Sequence, residues 1–154
     1  MDYKIVEKDQ FTVIGVKRRI KSEVPHFTEV WNEFTENYDK VKASRIDDGF
    51  YGINGAPDEN NLQDYIAGIA VDNSYQNSDS VFTRHVQPAS FYAVFECKVD
   101  SIGPTYMRIF SEWNDERYKV NDKNISCFEY YPPNTVSSDD KVILYVPVIN
   151  GQAV

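Results

Sequence analysis

The chain has 154 residues, enough for one compact domain with a substantial core. Its hydrophobic content of 42% and charged content of 26% are globular values that exclude a disordered chain. A net charge of −8 repels phosphate backbones, and no basic run longer than Lys17-Arg18-Arg19 offsets it, which argues against direct nucleic-acid binding.

The first strand is predicted over Tyr3 to Val6, resuming after a break from Phe11 to Arg19. A helix should start near Pro25, a residue suited to the first helical position because its missing N–H would be unpaired there anyway. Phe27, Val30, Trp31 and Phe34 then follow the i, i+3, i+4, i+7 spacing of one buried helix face, which fades near Asn37-Tyr38. A strand from Gly49 to Asn54, the turn GAPDENN and a strand from Tyr65 to Asp72 close the first unit. The polar stretch NSYQNSDSVFTRH reads as a connection in which Tyr75, Val81 and Phe82 can pack. The second unit opens with a strand from Ser90 to Val99. Gly103-Pro104 and a helix carrying Tyr106, Ile109, Phe110 and Trp113 come next. A hairpin of Ile125 to Tyr131 and Lys141 to Val148 turns through PPNTVSSDD, where Pro132 and Pro133 stop the strand because they donate no ladder hydrogen bond. The tail from Ile149 to Val154 is expected to fray.

These elements repeat once. The two helix faces match at an offset of 79, FTVIGVKRR from Phe11 matches FYAVFECKV from Phe91 at 80, and FYGIN and YIAGIAV match CFEYY and VILYVPV at 77. The pattern predicts an α+β fold in a single domain over residues 1–154. Two β-α-β-β units, about residues 1–72 and 86–148, would be related by a near-twofold rotation. Both helices should pack on one face of an antiparallel sheet of about eight strands. The aromatics of the opposite face then need a ligand groove or a dimer interface to explain them. The meeting place of the halves is the natural site of function. Eleven Tyr and nine Phe suit a half-wet cavity or a Tyr-rich sheet surface equally well.

The strings FYAVFECKV, PTYMRIFSEW, CFEYY and LYVPV together resemble the effector-binding domain of the AraC-type and gyrase-inhibitor-like (GyrI-like) superfamily. FTVIGVKRR, VWNEF, FYGING and YIAGIAV are most similar to its stand-alone, integron-associated branch. The resemblance spans nearly the whole chain through short motifs whose order and spacing carry it. It implies the duplicated fold and a groove between the halves for a lipophilic, often cationic, aromatic small molecule. It further implies that Glu129 meets the ligand cation and that Tyr145 helps to line the site. Relatives often carry an acid where this chain has Ile143, so one negative charge of the groove is expected to be missing.

Alternation puts Glu129 on one strand face with Cys127 and Tyr131, and Phe128 and Tyr130 on the other. An ionised glutamate among aromatics is costly unless a cation or internal hydrogen bonds satisfy it. With the resemblance, the candidate ligand-binding residues are Glu129, Tyr131, Tyr145, Tyr92 and Trp113, and plain sheet surface is an equal account of Tyr131 and Tyr145. Core packing is the simpler account of Trp31 and Trp113, although either indole could reach a groove. Cys97, Cys127, His26 and His85 have no metal-ligand spacing, and both histidines read as surface residues near turns. No metal or cofactor is expected, and no catalytic motif is present. MDYKIVEKDQ lacks the apolar core of a signal peptide, and no run approaches the roughly 18 apolar residues of a membrane span. A cytoplasmic protein with no membrane partner is expected, with no room ahead of Phe11 for a helix-turn-helix. The leading reading is a sensor or sequestering module for a small molecule. The alternatives are a hydrolase of lipophilic electrophiles using Glu129 and a tyrosine, and a gyrase-modulating interaction protein.

Overall fold

Period-two alternation in the strands and a single apolar stripe on each helix sort this chain's side chains onto the two faces of one sheet. The computed structural model describes residues 1–22, 27–121 and 123–151. Its elements are β1 (Lys4–Lys8), β2 (Phe11–Lys21), α1 (Phe27–Asn37), β3 (Phe50–Asn54), β4 (Leu62–Val71), β5 (Thr83–Gln87), β6 (Ser90–Lys98), α2 (Ile102–Glu112), β7 (Tyr118–Val120), β8 (Cys127–Tyr131) and β9 (Lys141–Asn150). Pro25 and His26, and residues 152–154 of the tail, lie outside the described residues. His85 is not at a turn but within β5, hydrogen-bonded to Gln87 at 2.8 Å.

The strands form one antiparallel sheet in the order β1-β6-β9-β8-β3-β4-β2-β5, with β7 added to β9. This order is its own mirror when β1 is matched with β5, β6 with β2, β9 with β4 and β8 with β3. The pseudo-twofold axis therefore passes between β3 and β8, where Gly52 faces Glu129. The register corrects one string match. Gly15 opposes Gly68 in the first half and Val94 opposes Tyr145 in the second. Since Gly68 matches Tyr145, Gly15 matches Val94 at an offset of 79, the same as for the helices. The offset of 80 was one residue out, a slip that exchanges the two faces of a strand and equates buried Phe11 with exposed Phe91.

The offset of 79 also carries β1 onto β5, so each repeat has an additional leading strand. That strand pairs with the long strand of the other repeat: β1 with β6, and β5 with β2. β5 occupies the end of the stretch expected to be a connection. Its sequence TRHVQ is polar because an edge strand has a partner on one side only.

The sheet has to curl. β1 and β2 stand six strand positions apart, about 29 Å in a flat sheet, yet only Asp9 and Gln10 join them, a reach of about 11 Å. Curling turns one face inward, where Phe11, Val13, Tyr51, Ile53, Tyr92 and Phe128 pack on one another. The aromatics opposite the helices are thus a closed core and need neither groove nor dimer to explain them. On the outer face α1 buries Val30 and Phe34 against β2 and β4, and α2 buries Ile109 against β6 and β9. No helix among the described residues is long and apolar enough to cross a membrane.

Candidate functional site

Because α1 covers β2 and β4 while α2 covers β6 and β9, the central pair β3 and β8 is left bare on the helix side. A cleft of about 720 Å³ fills that gap, within the usual range for small-molecule sites. Phe27, Trp31 and Phe34 of α1, with Tyr38 just past its end, form one wall, and Phe50, Glu129 and Tyr131 form the floor. The far wall is the start of α2 with the 3-10 turn Val99–Ser101 before it, and the β8–β9 loop at Thr135 to Ser138.

Glu129 is the chemical centre. β8 turns Cys127, Glu129 and Tyr131 toward the helices and Phe128 and Tyr130 into the inner core. Glu129 is only 2% exposed. Its Oε2 accepts hydrogen bonds from the Tyr106 hydroxyl at 3.0 Å and from the Asn54 amide. The Tyr65 hydroxyl accepts the Trp31 indole N–H at 3.0 Å and also lies against Glu129 and Tyr131. Gly52 makes this cluster possible. A Cβ there would fall 2.3 Å from the Tyr65 hydroxyl and 3.1 Å from Glu129 Oε1.

Burial pushes the Glu129 carboxyl up to about 8, against the opposing pull of the hydrogen bonds from Tyr106 and Asn54. Burial, and then the nearby carboxylate, raise Tyr65, Tyr106 and Tyr131 above the ordinary phenol value and push the Cys127 thiol up to about 12. These neighbours stay neutral wherever Glu129 titrates. A vacant cleft at neutral pH therefore holds a mostly protonated Glu129 ringed by phenols and an indole. A cation entering it would favour the ionised form. Among the described residues no cluster of His, Cys, Asp and Glu could hold a metal ion.

Two of the five candidate residues, Glu129 and Tyr131, meet in this cleft. Tyr145 does not, because Leu144 is the residue opposite Glu129 and the next side chain along β9 points to the inner face. There Tyr145 stacks on Phe128 with ring centroids 4.5 Å apart. Ile143 opposes Tyr130 and also packs on the inner face, so an acid at that position would not add charge beside Glu129. Tyr92 is fully buried in the inner core, accepting a hydrogen bond from Gln87 and donating to the Pro88 carbonyl. Trp113 lies just past the end of α2 and packs edge-on against Tyr3 and Phe95. Sequence reasoning missed Tyr65, Tyr106 and Asn54 and assigned Trp31 to core packing. The available signal was that Tyr106 and Trp31 stand on the helix stripes facing β8.

The sequence profile of the integron-associated effector binding protein family matches residues 4–148. No curated protein matches the chain. Several solved structures share its fold. SAV2435 bound to tetraphenylphosphonium has a TM-score of 0.67 at 17% identity, over 97% of this chain and 94% of that one. The C-terminal domain of EcmrR has a TM-score of 0.67 at 14% identity, over 97% and 98%. An integron cassette protein from the mobile metagenome of Vibrio cholerae has a TM-score of 0.60 at 16% identity, over 96% and 95%.

Proposed function

The chain belongs to the integron-associated effector-binding family, and from that premise we propose that it binds a lipophilic aromatic cation in the cleft over Glu129. One observation carries the reading: a buried carboxyl with no cationic side chain among its hydrogen-bond partners in the described residues forms the floor of a cleft walled by aromatic rings. Ionising that carboxyl is costly until a cation arrives, and ring faces add cation–π attraction. The tetraphenylphosphonium found on SAV2435 is a ligand of the same kind and supports the choice. Binding would serve to sense the compound for a partner or to withhold it. The net charge of −8 favours a role without direct DNA contact.

The test is a calorimetric titration of tetraphenylphosphonium, and of neutral triphenylphosphine oxide, into the parent and Glu129→Gln. Removing the charge while keeping the shape should weaken the cation by about 2–4 kcal/mol, or roughly 30- to 1,000-fold, and leave the neutral compound nearly unchanged. Equal effects on both compounds, or on neither, would move the cation elsewhere.

A second reading has one observation in its favour. A carboxyl titrating near 8 and hydrogen-bonded to the Tyr106 phenol is suited to general acid–base work on a bound electrophile. Steady turnover of an aryl epoxide, lost in Glu129→Gln, would favour hydrolysis over binding alone.

A further inference from the structure

The cleft is longer than a single charge requires. It is lined from Phe27 at the start of α1 to Tyr38 in the 3-10 turn just past its end, a span of about 16 Å. Glu129 stands in the middle of β8, and the loop that follows Tyr131 begins about 10 Å farther along the strand. At that loop a second carboxylate lines the same cleft. The backbone N–H of Asp100 donates to the Ser138 carbonyl at 3.1 Å, joining the turn before α2 and the β8–β9 loop into one rim.

The Asp100 side chain accepts a hydrogen bond from the Ser101 hydroxyl at 3.1 Å and, among the described residues, forms no ion pair. Lys98, the nearest base in sequence, is directed to Asp139 at 3.5 Å. Asp140 is held in the rim by accepting the N–H groups of Val136 and Ser137, both at 2.8 Å. The mouth thus carries more acid than base. Between it and Glu129 the lining is apolar or aromatic, through Trp31, Phe50, Tyr131 and Val136.

We infer that the cleft selects elongated dications: one cationic group at Glu129, an apolar spacer along α1, and a second cationic group at Asp100 in the mouth. This rests on the cation reading of Glu129 and adds the class of ligand. The outer pair is exposed to water, so its contribution is modest and screened by salt. Tethering the second charge to a group already bound raises its effective concentration, but only when the spacer matches the span between the carboxylates.

The experiment compares bis(trimethylammonium)alkanes of graded length, from hexamethylene to decamethylene, with alkyltrimethylammonium ions of matching chain length. Each competes with tetraphenylphosphonium on the intact chain at low and high salt. One spacer length should bind about three- to tenfold tighter than its monocation, and high salt should shrink that advantage. Asp100→Asn should abolish the advantage without changing monocation affinity. Asp100→Lys should turn it into a deficit. Both substitutions are at the surface, and unchanged monocation binding verifies their fold. Equal binding of monocation and dication at every length, or an advantage untouched in Asp100→Lys, overturns the inference and leaves the role of Glu129 standing. Loss of all cation binding from the parent chain would overturn the role of Glu129 and the inference together.

Discussion

The two halves of the molecule share one plan and part company at the axis between them. Gly52 and Glu129 are equivalent in the repeat and face each other across β3 and β8. A strict twofold would place two carboxylates here, both buried, and like charges so close cannot both ionise. The chain carries the acid once and removes the side chain opposite. The Tyr65 hydroxyl occupies the space that a Cβ on Gly52 would need. The helices differ in the same sense. Trp31 on α1 lines the cleft, whereas its repeat equivalent on α2, Phe110, is 56% exposed. The first half supplies an aromatic wall and room; the second supplies charge. Here the duplicated fold places the cleft on its own axis and gives up its symmetry there.

The largest expected consequence concerns stability. The folded Glu129 titrates near 8 against an ordinary value of 4.5, so the fold favours its protonated form. That contribution is fully present below about 4.5 and is lost as pH rises through 8, an amount on the order of 4 kcal/mol. Glu129→Gln, which stays neutral, should therefore be more stable than the parent by that order at about pH 9 and nearly equal to it at about pH 4.5. Urea unfolding at the two pH values measures it. Equal stabilities at high pH would mean that Glu129 ionises without cost, and the proposed asymmetry of the axis would lose its energetic basis.

The same shift acts on binding with the opposite sign. A cation needs the ionised carboxylate, so below about 8 its binding must release a proton. Tetraphenylphosphonium affinity should rise on the order of 100-fold between about pH 6 and pH 8 and flatten above. Cys127 and the three tyrosines of the cluster titrate too high to contribute in that window. Glu129→Gln should bind weakly and independently of pH. A pH-independent parent would indicate that the cation does not meet this carboxylate.

Gly52 tests the other half of the comparison. Gly52→Ala drives a Cβ into the Tyr65 hydroxyl and should cost about 2 kcal/mol of stability through overpacking. Adding Tyr65→Phe removes the nearest of the crowding atoms, leaving the ring carbon at 3.0 Å, and should recover part of the loss, although the Trp31 indole N–H then lacks its acceptor. If the double variant is no better than Gly52→Ala, the Tyr65 hydroxyl is not what makes the glycine necessary.

What was legible in the sequence followed periodicity. The helix stripe at Phe27–Phe34, its counterpart at Tyr106 and Ile109, and the hairpins from Phe50 and Cys127 stand where spacing put them, and alternation alone turned Glu129 and Tyr131 to one face. The second stripe ends early, with Phe110 exposed and Trp113 in extended backbone past α2. The rest depended on quantities that local pattern does not carry. β5 is too polar to announce itself as a strand, because it pairs on one side only. The face of Tyr145 depends on which residue of β9 opposes Glu129, a choice that shifts by one residue without altering the motif. Tyr65, Tyr106 and Asn54 converge on Glu129 from three separate elements: α2 packs over its own half, and the pairing of β3 with β8 brings in β3 and β4.

The smallest expected effect concerns the face of the sheet that sequence reasoning assigned to the ligand. Tyr131 lines the cleft with Glu129, so Tyr131→Leu should remove a cation–π partner and weaken tetraphenylphosphonium about five- to tenfold. Tyr145→Phe keeps the ring stacked on Phe128 and removes only a hydroxyl on the far side of the sheet. Its effect on the same titration should stay within about twofold, since an interior change that conserves shape is absorbed locally. Tyr145 also borders a second cavity of about 560 Å³ beside β1 and α2, lined among others by Glu96 and Arg108. Arg108 and Glu112 pair at 3.0 Å and Lys141 and Glu96 at 3.3 Å, so Glu96, which borders that cavity with Asp2, already has a basic partner, and Arg108 and Lys4 place positive charge in the same lining. A cation entering it would compete with bases already in place. If Tyr145→Phe weakened binding as much as Tyr131→Leu, the cation would belong in that second cavity, and Glu129 would be a polar group of the core with no ligand of its own.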